Sequence, residues 1–245
     1  MLSAGEEFIF KTKYHNMGLS DQMKRKPAPA LQLPYPDTME IIPLPVWDKV
    51  TLWEKNIVSL INLRQSIRDY QKEGISCQEL SYLLWCTQGV QEIISNVATR
   101  RTVPSAGARH ALETFLLVNK VEGLAPGLYR YLSIEHQLGI IKKDNSIVNK
   151  IVTASLGQDF IKSSAVTFIW VAVIYRMKWR YGERGYRYIF LDAGHVAQNL
   201  YLAAEAINCG VCVIGAFNDD ELNYVLELDG KELFVIYMAA VGKKI

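Results

Sequence analysis

The chain has 245 residues, half of them hydrophobic and 21% charged, and 27 Lys and Arg against 25 Asp and Glu give a formal net charge of +2. This composition excludes a wholly disordered chain, and a chain of this length can bury a proper core. The near-zero charge gives no general attraction for nucleic acid or an anionic membrane. No basic segment followed by an apolar stretch opens the chain, so we expect a cytoplasmic protein without a secretory signal.

Residues 1–46 are predicted to form an extended, proline-rich N-terminal arm. Six of the eight prolines lie between Pro27 and Pro45, which excludes a helix or a central strand there. A disordered tail is the alternative, but apolar residues such as Phe8 and Ile41 favour packing on the body or on a neighbouring subunit. Residues 47–245 are predicted to form the main domain.

The main domain is predicted to mix helices and strands without strict alternation. A first helix follows Trp47, and Ser76 with Glu79 has the capping-box pattern at the start of a second helix. Residues 95–110 are expected to form a polar loop. Strands are predicted at 113–118, 127–131, 138–142, 166–175, 211–216 and 233–241, with helices at 145–156, 186–207 and 219–226. This order indicates an α+β fold.

The helix predicted at 186–207 is apolar on nearly every side. A helix of that kind is normally buried on nearly every side. In a chain of this length, such burial suggests that a second subunit covers the helix. The pattern Asn208-Cys209-Gly210 is expected to end it.

The cysteine and histidine residues indicate no metal site. Cys209-Gly-Val-Cys212 follows a helix and precedes a strand, whereas a redox pair of this type normally stands at a helix N-terminus. We therefore expect four reduced cysteines in or near the core. The four histidines are scattered and form no pair with the spacing of metal ligands.

Three short segments carry residues suited to ligand binding. Arg64-Gln65-Ser66-Ile67-Arg68 places two guanidinium groups and a hydroxyl on one side, a suitable clamp for an oxyanion. Pro104-Ser105-Ala106-Gly107 forms a tight turn whose backbone could approach a flat ligand. Ile214-Gly215 ends a strand with an open backbone edge. Taken singly, each also fits a solvated helix end, a surface loop or a strand end.

Taken together, these motifs resemble the FMN-dependent nitroreductase superfamily, and within it the SagB-type dehydrogenases that oxidise azolines to azoles on ribosomal peptides. The motifs recur in the family's order over roughly residues 47–245. They are Arg64-x-Ser66-x-Arg68, Pro104-Ser-Ala-Gly-Ala-Arg109, Gly127-Leu-Tyr-Arg-Tyr131, Asp192-Ala-Gly-His-Val-Ala-Gln-Asn-Leu200, Ile214-Gly-Ala-Phe217 and Val241-Gly-Lys243.

The resemblance implies a nitroreductase-like fold, with a mixed, mainly antiparallel sheet and flanking helices. It also implies a homodimer with an FMN at each subunit interface and hydride transfer through flavin N5. By position, Arg64, Gln65, Ser66 and Lys243 would hold the phosphate and ribityl end, and Arg68 would lie near the N1/O2 edge. The turn from Pro104 through Ser105 and Ala106 to Gly107 would come from the partner and touch the flavin ring, and the backbone of Ile214 and Gly215 would face N5.

One motif departs from the azoline-oxidising pattern. Those enzymes carry a Lys-Tyr pair before the long helix, and here the matching residues are Arg180 and Tyr181. Arginine stays protonated in proteins, so Arg180 could orient an anion but could not act as a base. Tyr181 could still donate a proton. The alternative is that both residues only pack beside the helix.

The expected function is therefore FMN-dependent oxidation or reduction of a small-molecule or modified-peptide substrate, with NAD(P)H as one candidate hydride donor. Two alternatives stay open at the level of the sequence. One is an NAD(P)H-dependent nitro or quinone reductase of loose specificity. The other is a flavin-binding scaffold, without catalysis of its own, in a peptide-modifying complex.

Overall fold

The computed structural model describes residues 2–245. The helices are α1 (Ala4–Lys11), α2 (Ile57–Leu63), α3 (Cys77–Gln88), α4 (Ile147–Ala154), α5 (Phe160–Ser163), α6 (Ile174–Tyr181), α7 (Gly185–Ala206) and α8 (Asp219–Val225). The strands are β1 (Ile41–Pro43), β2 (Val90–Ser95), β3 (Ala98–Arg101), β4 (Leu112–Val118), β5 (Gly127–Leu132), β6 (Gln137–Lys142), β7 (Val166–Val173), β8 (Cys209–Ile214) and β9 (Leu233–Lys243).

Seven strands form one sheet in the order β1-β6-β5-β4-β7-β9-β8, and β2 with β3 forms a separate hairpin. All strand pairs in the main sheet are antiparallel. Every residue of β4 and β7 is buried, which explains why β7 is almost wholly apolar rather than alternating. β4 is buried as well, although it contains Glu113 and Thr114. The α+β fold with a mainly antiparallel sheet is confirmed.

The sheet carries a hydrophobic layer on each face. One layer joins α3, α6 and α7 to the sheet through residues such as Leu84, Trp170 and Leu200. The other joins α4, α5 and α8 to the opposite face through residues such as Ile151 and Leu222. The longest helix therefore lies across one face of the sheet, where it can position side chains from distant parts of the chain.

Within one chain, α7 leaves one stripe exposed, and the sequence pattern predicts that a second subunit covers such a surface. Phe190 and Leu191 are 57% and 60% exposed. Gly194, His195 and Gln198 continue the exposed stripe along the same side of the helix. The stripe begins with large apolar side chains, and the exposure of such a surface to water is unfavourable.

Two segments differ from their predicted structure. Residues 95–101, predicted as the start of a polar loop, instead belong to the β2–β3 hairpin over residues 90–101, because Val90, Ile93 and Thr99 favour strands. The strand predicted to reach Tyr175 ends at Val173, and α6 follows at once. The long side chains after that point favour a helix.

The long helix ends at Ala206, one residue before its predicted end at residue 207. Asn208 adopts a left-handed conformation with φ of 55° directly after the C-cap residue Ile207. Asparagine tolerates this conformation better than most residues do. Gly210 is thereby left for β8.

The N-terminal arm is not wholly extended. Ser3 and Glu6 form a capping box, and residues Ala4–Lys11 form helix α1. Farther on, β1 pairs with β6 at the edge of the main sheet. Between these elements the arm lies on α6, where the Gln22 amide donates to the Trp179 carbonyl at 2.7 Å and the Trp179 indole donates to the Lys26 carbonyl at 3.0 Å. No helix among residues 2–245 is long and apolar enough to cross a membrane.

Candidate functional site

Two clusters contain most of the site residues predicted from the sequence. The first is called the arginine cluster and consists of Arg64, Ser66, Arg68 and Tyr201. The Ser66 hydroxyl lies 2.8 Å from the Tyr201 hydroxyl, and the Arg64 guanidinium lies 5.2 Å from the centre of the Tyr201 ring. Arg68 is exposed and lies 6.0 Å from the Phe160 ring centre.

The backbone holds the arginine cluster against the edge strand β8. The Ile67 amide donates to the Val211 carbonyl at 2.9 Å, so the segment forms a short parallel bridge with the sheet. A Cβ on Gly210 would lie 2.6 Å from the Ile67 Cβ, so a glycine is required for this approach. The Val213 amide donates to the Tyr201 hydroxyl at 3.3 Å, which ties the cluster to the end of β8.

The remaining predicted cofactor residues lie nearby or have other partners. Ile214 ends β8, and Gly215 follows it in an exposed position, where a Cβ would meet only Tyr237 at 3.7 Å. Gln65 is exposed beside the arginine cluster. The Lys243 ammonium forms an ion pair with Glu79, so it would have to leave this carboxylate before it could contact a phosphate.

The second cluster is called the glycine-turn cluster and consists of Ser105–Gly107, Arg180, Tyr181 and Asp192. Gly107 has φ of 58°, in the left-handed region that favours glycine. A Cβ there would lie 2.4 Å from the Tyr181 hydroxyl and 2.8 Å from Arg180 Nε. The turn and the Arg-Tyr pair are therefore in direct contact within one chain. Pro104, just before the turn, is exposed.

Asp192 anchors the turn from α7. Its Oδ1 accepts a hydrogen bond from the Ala106 amide at 3.2 Å, while its buried Oδ2 has no partner among the described residues. Burial raises the pKa of Asp192, although hydrogen bonds from Ser105 and Ala106 oppose the increase. Sequence reasoning quoted Asp192 within a motif but gave it no role. Its unpartnered oxygen indicates a place where a further donor could bind.

Within one chain, the two clusters lie on opposite sides of α7. Asp192 and Tyr201 are nine positions apart on the helix. At 1.5 Å and 100° per residue, this places them about 13 Å apart along the axis and about half a turn apart around it. A single chain therefore does not bring the predicted site residues together around one small ligand.

Sequence reasoning missed two residues beside the Arg-Tyr pair. Arg184 Nε donates to the Tyr188 hydroxyl at 2.8 Å, and the Tyr188 ring lies edge-on to Tyr181 with ring centres 4.7 Å apart. Burial would raise the pKa of Tyr188, but hydrogen bonds with Tyr14 and Arg184 and the charges of Arg184 and Arg187 lower it overall. Their spacing of four residues on one helix face was the signal available in the sequence.

The cysteines do not contribute a reactive thiol to either cluster. All four are free, and burial raises the pKa of the Cys86 thiol to about 11 and of the Cys209 thiol to about 12. Burial also raises the pKa of Cys212. Thiols of this kind are protonated near neutral pH and are poor nucleophiles.

Comparison with known proteins places the chain in a family. Residues 61–243 match the Nitroreductase family, and the chain belongs to it. It is 34% identical over 209 residues to "Putative nitroreductase MJ1384" of Methanocaldococcus jannaschii, covering 85% of this chain and 98% of that protein. The crystal structure of an Anabaena variabilis protein with the same provisional family name superposes with a TM-score of 0.70 at 30% identity, covering 85% of this chain and 42% of that one.

A third relative has a more specific name. The trifolitoxin-processing protein TfxB of Rhizobium leguminosarum bv. trifolii is 29% identical over 154 residues. The match covers 61% of this chain and 41% of TfxB, so the chain spans less than half of that relative.

Proposed function

We propose that the chain is an FMN-dependent oxidoreductase of the SagB type that acts as a homodimer on a small-molecule or modified-peptide substrate. The observation that carries this proposal is the division of the predicted site into two clusters on opposite sides of α7. Two copies of the chain would complete each site, with the arginine cluster from one and the glycine-turn cluster from the other. Similarity to TfxB, named for the processing of trifolitoxin, supports the SagB type over a general reductase.

The chemistry of the two clusters fits FMN. Arg64 and Arg68 form no ion pair among the residues that the structure describes, so both guanidinium groups are available to a phosphate dianion. The Ser66 hydroxyl adds a donor for the phosphate or ribityl oxygens. In the other cluster, the turn at Gly107 lies in direct contact with the Tyr181 hydroxyl and Arg180, so these groups would meet a flat ring together. When bound, FMN would supply a hydride acceptor at N5.

The chain's own residues have separate roles in this proposal. The arginine cluster binds the phosphate end, and the backbone of Ile214 and Gly215 faces the reacting edge of the ring. Arg180 orients an anionic substrate group, since its charge is permanent. Tyr181 gives a proton to the substrate or receives one from it.

Removing Arg64 tests the cofactor site. Each guanidinium–phosphate bond is worth about 1.5–3 kcal/mol, so Arg64→Ala should weaken FMN binding by at least about tenfold. Flavin fluorescence titration of the apoprotein measures this. Lys150→Ala, which removes an exposed cation from α4 on the opposite sheet face, should leave the affinity unchanged.

The FMN affinity of Lys243→Ala shows whether Lys243 exchanges its ion pair with Glu79 for a contact with the phosphate. Loss of affinity in this variant would add Lys243 to the phosphate site. Unchanged FMN affinity in both Arg64→Ala and Lys243→Ala would contradict the proposed clamp.

The homodimer gives a second test. Leu191 lies on the exposed stripe of α7 and is itself 60% exposed. Sedimentation should give a mass of about twice the chain mass of 27.8 kDa.

Leu191→Glu should produce a monomer that loses flavin, because a charge in an apolar interface is costly. Tyr224→Glu, at an 83% exposed position on α8, is the matched control and should remain dimeric. A stable monomer that retains FMN would refute the shared site.

A further inference from the structure

A cleft of about 460 Å³ lies directly beside the Arg-Tyr pair. One wall belongs to the N-terminal arm and the other to the junction of α6 and α7. The residues that line it are Tyr14, Met17, Gly18, Leu19, Ser20, Met23, Arg180, Tyr181 and Arg184. The arm thus forms part of a pocket next to the residues proposed to act on the substrate.

Hydrogen bonds fix the arm wall in place. Arg184 Nη1 donates to the Thr12 carbonyl at 2.8 Å, and the Tyr14 hydroxyl lies 3.0 Å from that of Tyr188. The Arg184 guanidinium also lies 4.3 Å from the centre of the Tyr14 ring. The cleft is therefore largely formed before any ligand arrives, which reduces the entropic cost of binding.

The charge inside the cleft is positive. Arg180 and Arg184 line it, and none of the lining residues is an aspartate or glutamate. The nearby acids are already neutralised, since Asp21 pairs with Lys24 and Lys26. Glu183 likewise pairs with Lys178.

The two arginines differ in how many donors they still offer. Arg184 uses Nε for Tyr188 and Nη1 for Thr12. Arg180 forms no hydrogen bond or ion pair within residues 2–245 and is exposed. A guanidinium fork pairs in bidentate fashion with a carboxylate or a phosphate. The single positive charge of Arg180 matches the one negative charge of a carboxylate better than the two charges of a phosphate dianion.

We propose that this cleft binds an organic carboxylate with an aromatic or aliphatic body. Arg180 holds the carboxylate, and the apolar side chains of Met17, Leu19 and Met23 cover the body of the molecule. The carboxylate then lies beside Tyr181, the residue proposed to exchange a proton with the substrate. The claim that this ligand is the substrate rests on the proposed function. The claim that the cleft binds it does not.

Calorimetric titration of the purified full chain tests the proposal. The three probes, 3-phenylpropionate, 3-phenylpropionamide and phenyl phosphate, have the same size. 3-Phenylpropionate should bind at least about tenfold more tightly than the neutral 3-phenylpropionamide, because only the acid forms a charge-assisted pair. Arg180→Gln should abolish this difference. Met23→Asp places a negative charge on the arm wall, at a side chain that is 66% exposed and so tolerates the change, and should weaken carboxylate binding at least about tenfold. Lys150→Gln is the charge control and should change nothing.

Several results would overturn the assignment. Equal affinity for acid and amide would exclude a carboxylate site, and tighter binding of phenyl phosphate would assign the cleft to phosphate esters instead. Unchanged carboxylate binding in Met23→Asp would place the ligand elsewhere. Flavin absorbance in the same samples separates the two proposals: a wild-type protein that binds the carboxylate but takes up no FMN would refute the proposed function and uphold the cleft.

Discussion

Tyr181→Phe is expected to slow turnover by about 10²–10⁴-fold, the range for a positioned acid or base. The structure gives the reason for placing this role on Tyr181: its hydroxyl lies against the glycine turn, at a point that a Cβ on Gly107 would approach to 2.4 Å. FMN affinity should hardly change, because the hydroxyl lies in the glycine-turn cluster and not among the phosphate donors. Steady-state oxidation of NAD(P)H with quinone and nitroaromatic acceptors provides the measurement.

Tyr175→Phe is the matched control for this substitution. Tyr175 belongs to the same helix, but its hydroxyl donates to Asp21 at 3.1 Å and does not line the cleft. Its loss should leave turnover within a few-fold of the wild type. Full activity of Tyr181→Phe with every acceptor would show that Tyr181 only packs, and that catalysis rests on the cofactor and the backbone.

Substitutions of Arg180 separate substrate binding from proton transfer. Arg180→Ala should raise KM for an anionic substrate more than it lowers kcat, since a permanent cation binds and does not exchange protons. Arg180→Lys restores the pair of the azoline-oxidising enzymes. If this variant gains azole formation on an azoline peptide, the chain is a diverged azoline oxidase, and if it does not, another residue sets the reaction.

The parts of the fold that were predictable are those with a local signal. The capping box of Ser76 and Glu79 marks the start of α3 and is formed by both of its reciprocal hydrogen bonds. The apolar period along α7 and the continuous apolar run of β7 likewise correspond to the observed elements. The order of strands in the sheet has no such local signal, because pairing depends on contacts between distant segments.

The missed features depend on long-range contacts. The first two residues of α6, Ile174 and Tyr175, were predicted to end a strand because they continue the apolar run of β7. The burial of Arg176 has no signature in the sequence. The position of the arm beside Arg180 and Tyr181 was also not predictable, since it depends on hydrogen bonds across more than 150 residues, such as Gln22 to Trp179. For the site, the motifs identified the residues but not their division into two clusters.

The arm also completes a buried ionic network that sequence reasoning could not see. Glu113 is fully buried between Arg176, at 2.6 Å, and Arg130, at 3.1 Å. Backbone groups of the arm satisfy further donors and acceptors: the Leu33 amide donates to Glu113 at 2.8 Å, and the Ala30 and Pro34 carbonyls accept from the two arginines. The arm thus folds around the charged groups that hold it.

Removal of one member of this network should strongly destabilise the protein. Glu113→Gln leaves two buried guanidinium groups without their carboxylate, and breaking a buried pair in this way costs about 3–5 kcal/mol. Chemical denaturation at neutral pH measures the loss in the free energy of unfolding. Glu183→Gln removes a carboxylate that is 60% exposed and pairs with Lys178, and it should cost no more than about 1 kcal/mol.

The pH dependence of stability provides an independent check on the same residue. Burial would raise the pKa of Glu113, but the charges of Arg176 and Arg130 outweigh it and hold the pKa below its ordinary value of 4.5. A lowered folded-state pKa means that the stabilisation is complete above this value and is lost as the pH falls below it. The wild type should therefore lose stability in acid more steeply than Glu113→Gln. Two results would show that the network does not hold the arm in place. One is that the free energy of unfolding of wild type and Glu113→Gln falls in parallel with decreasing pH. The other is that Glu113→Gln loses as little free energy of unfolding as Glu183→Gln.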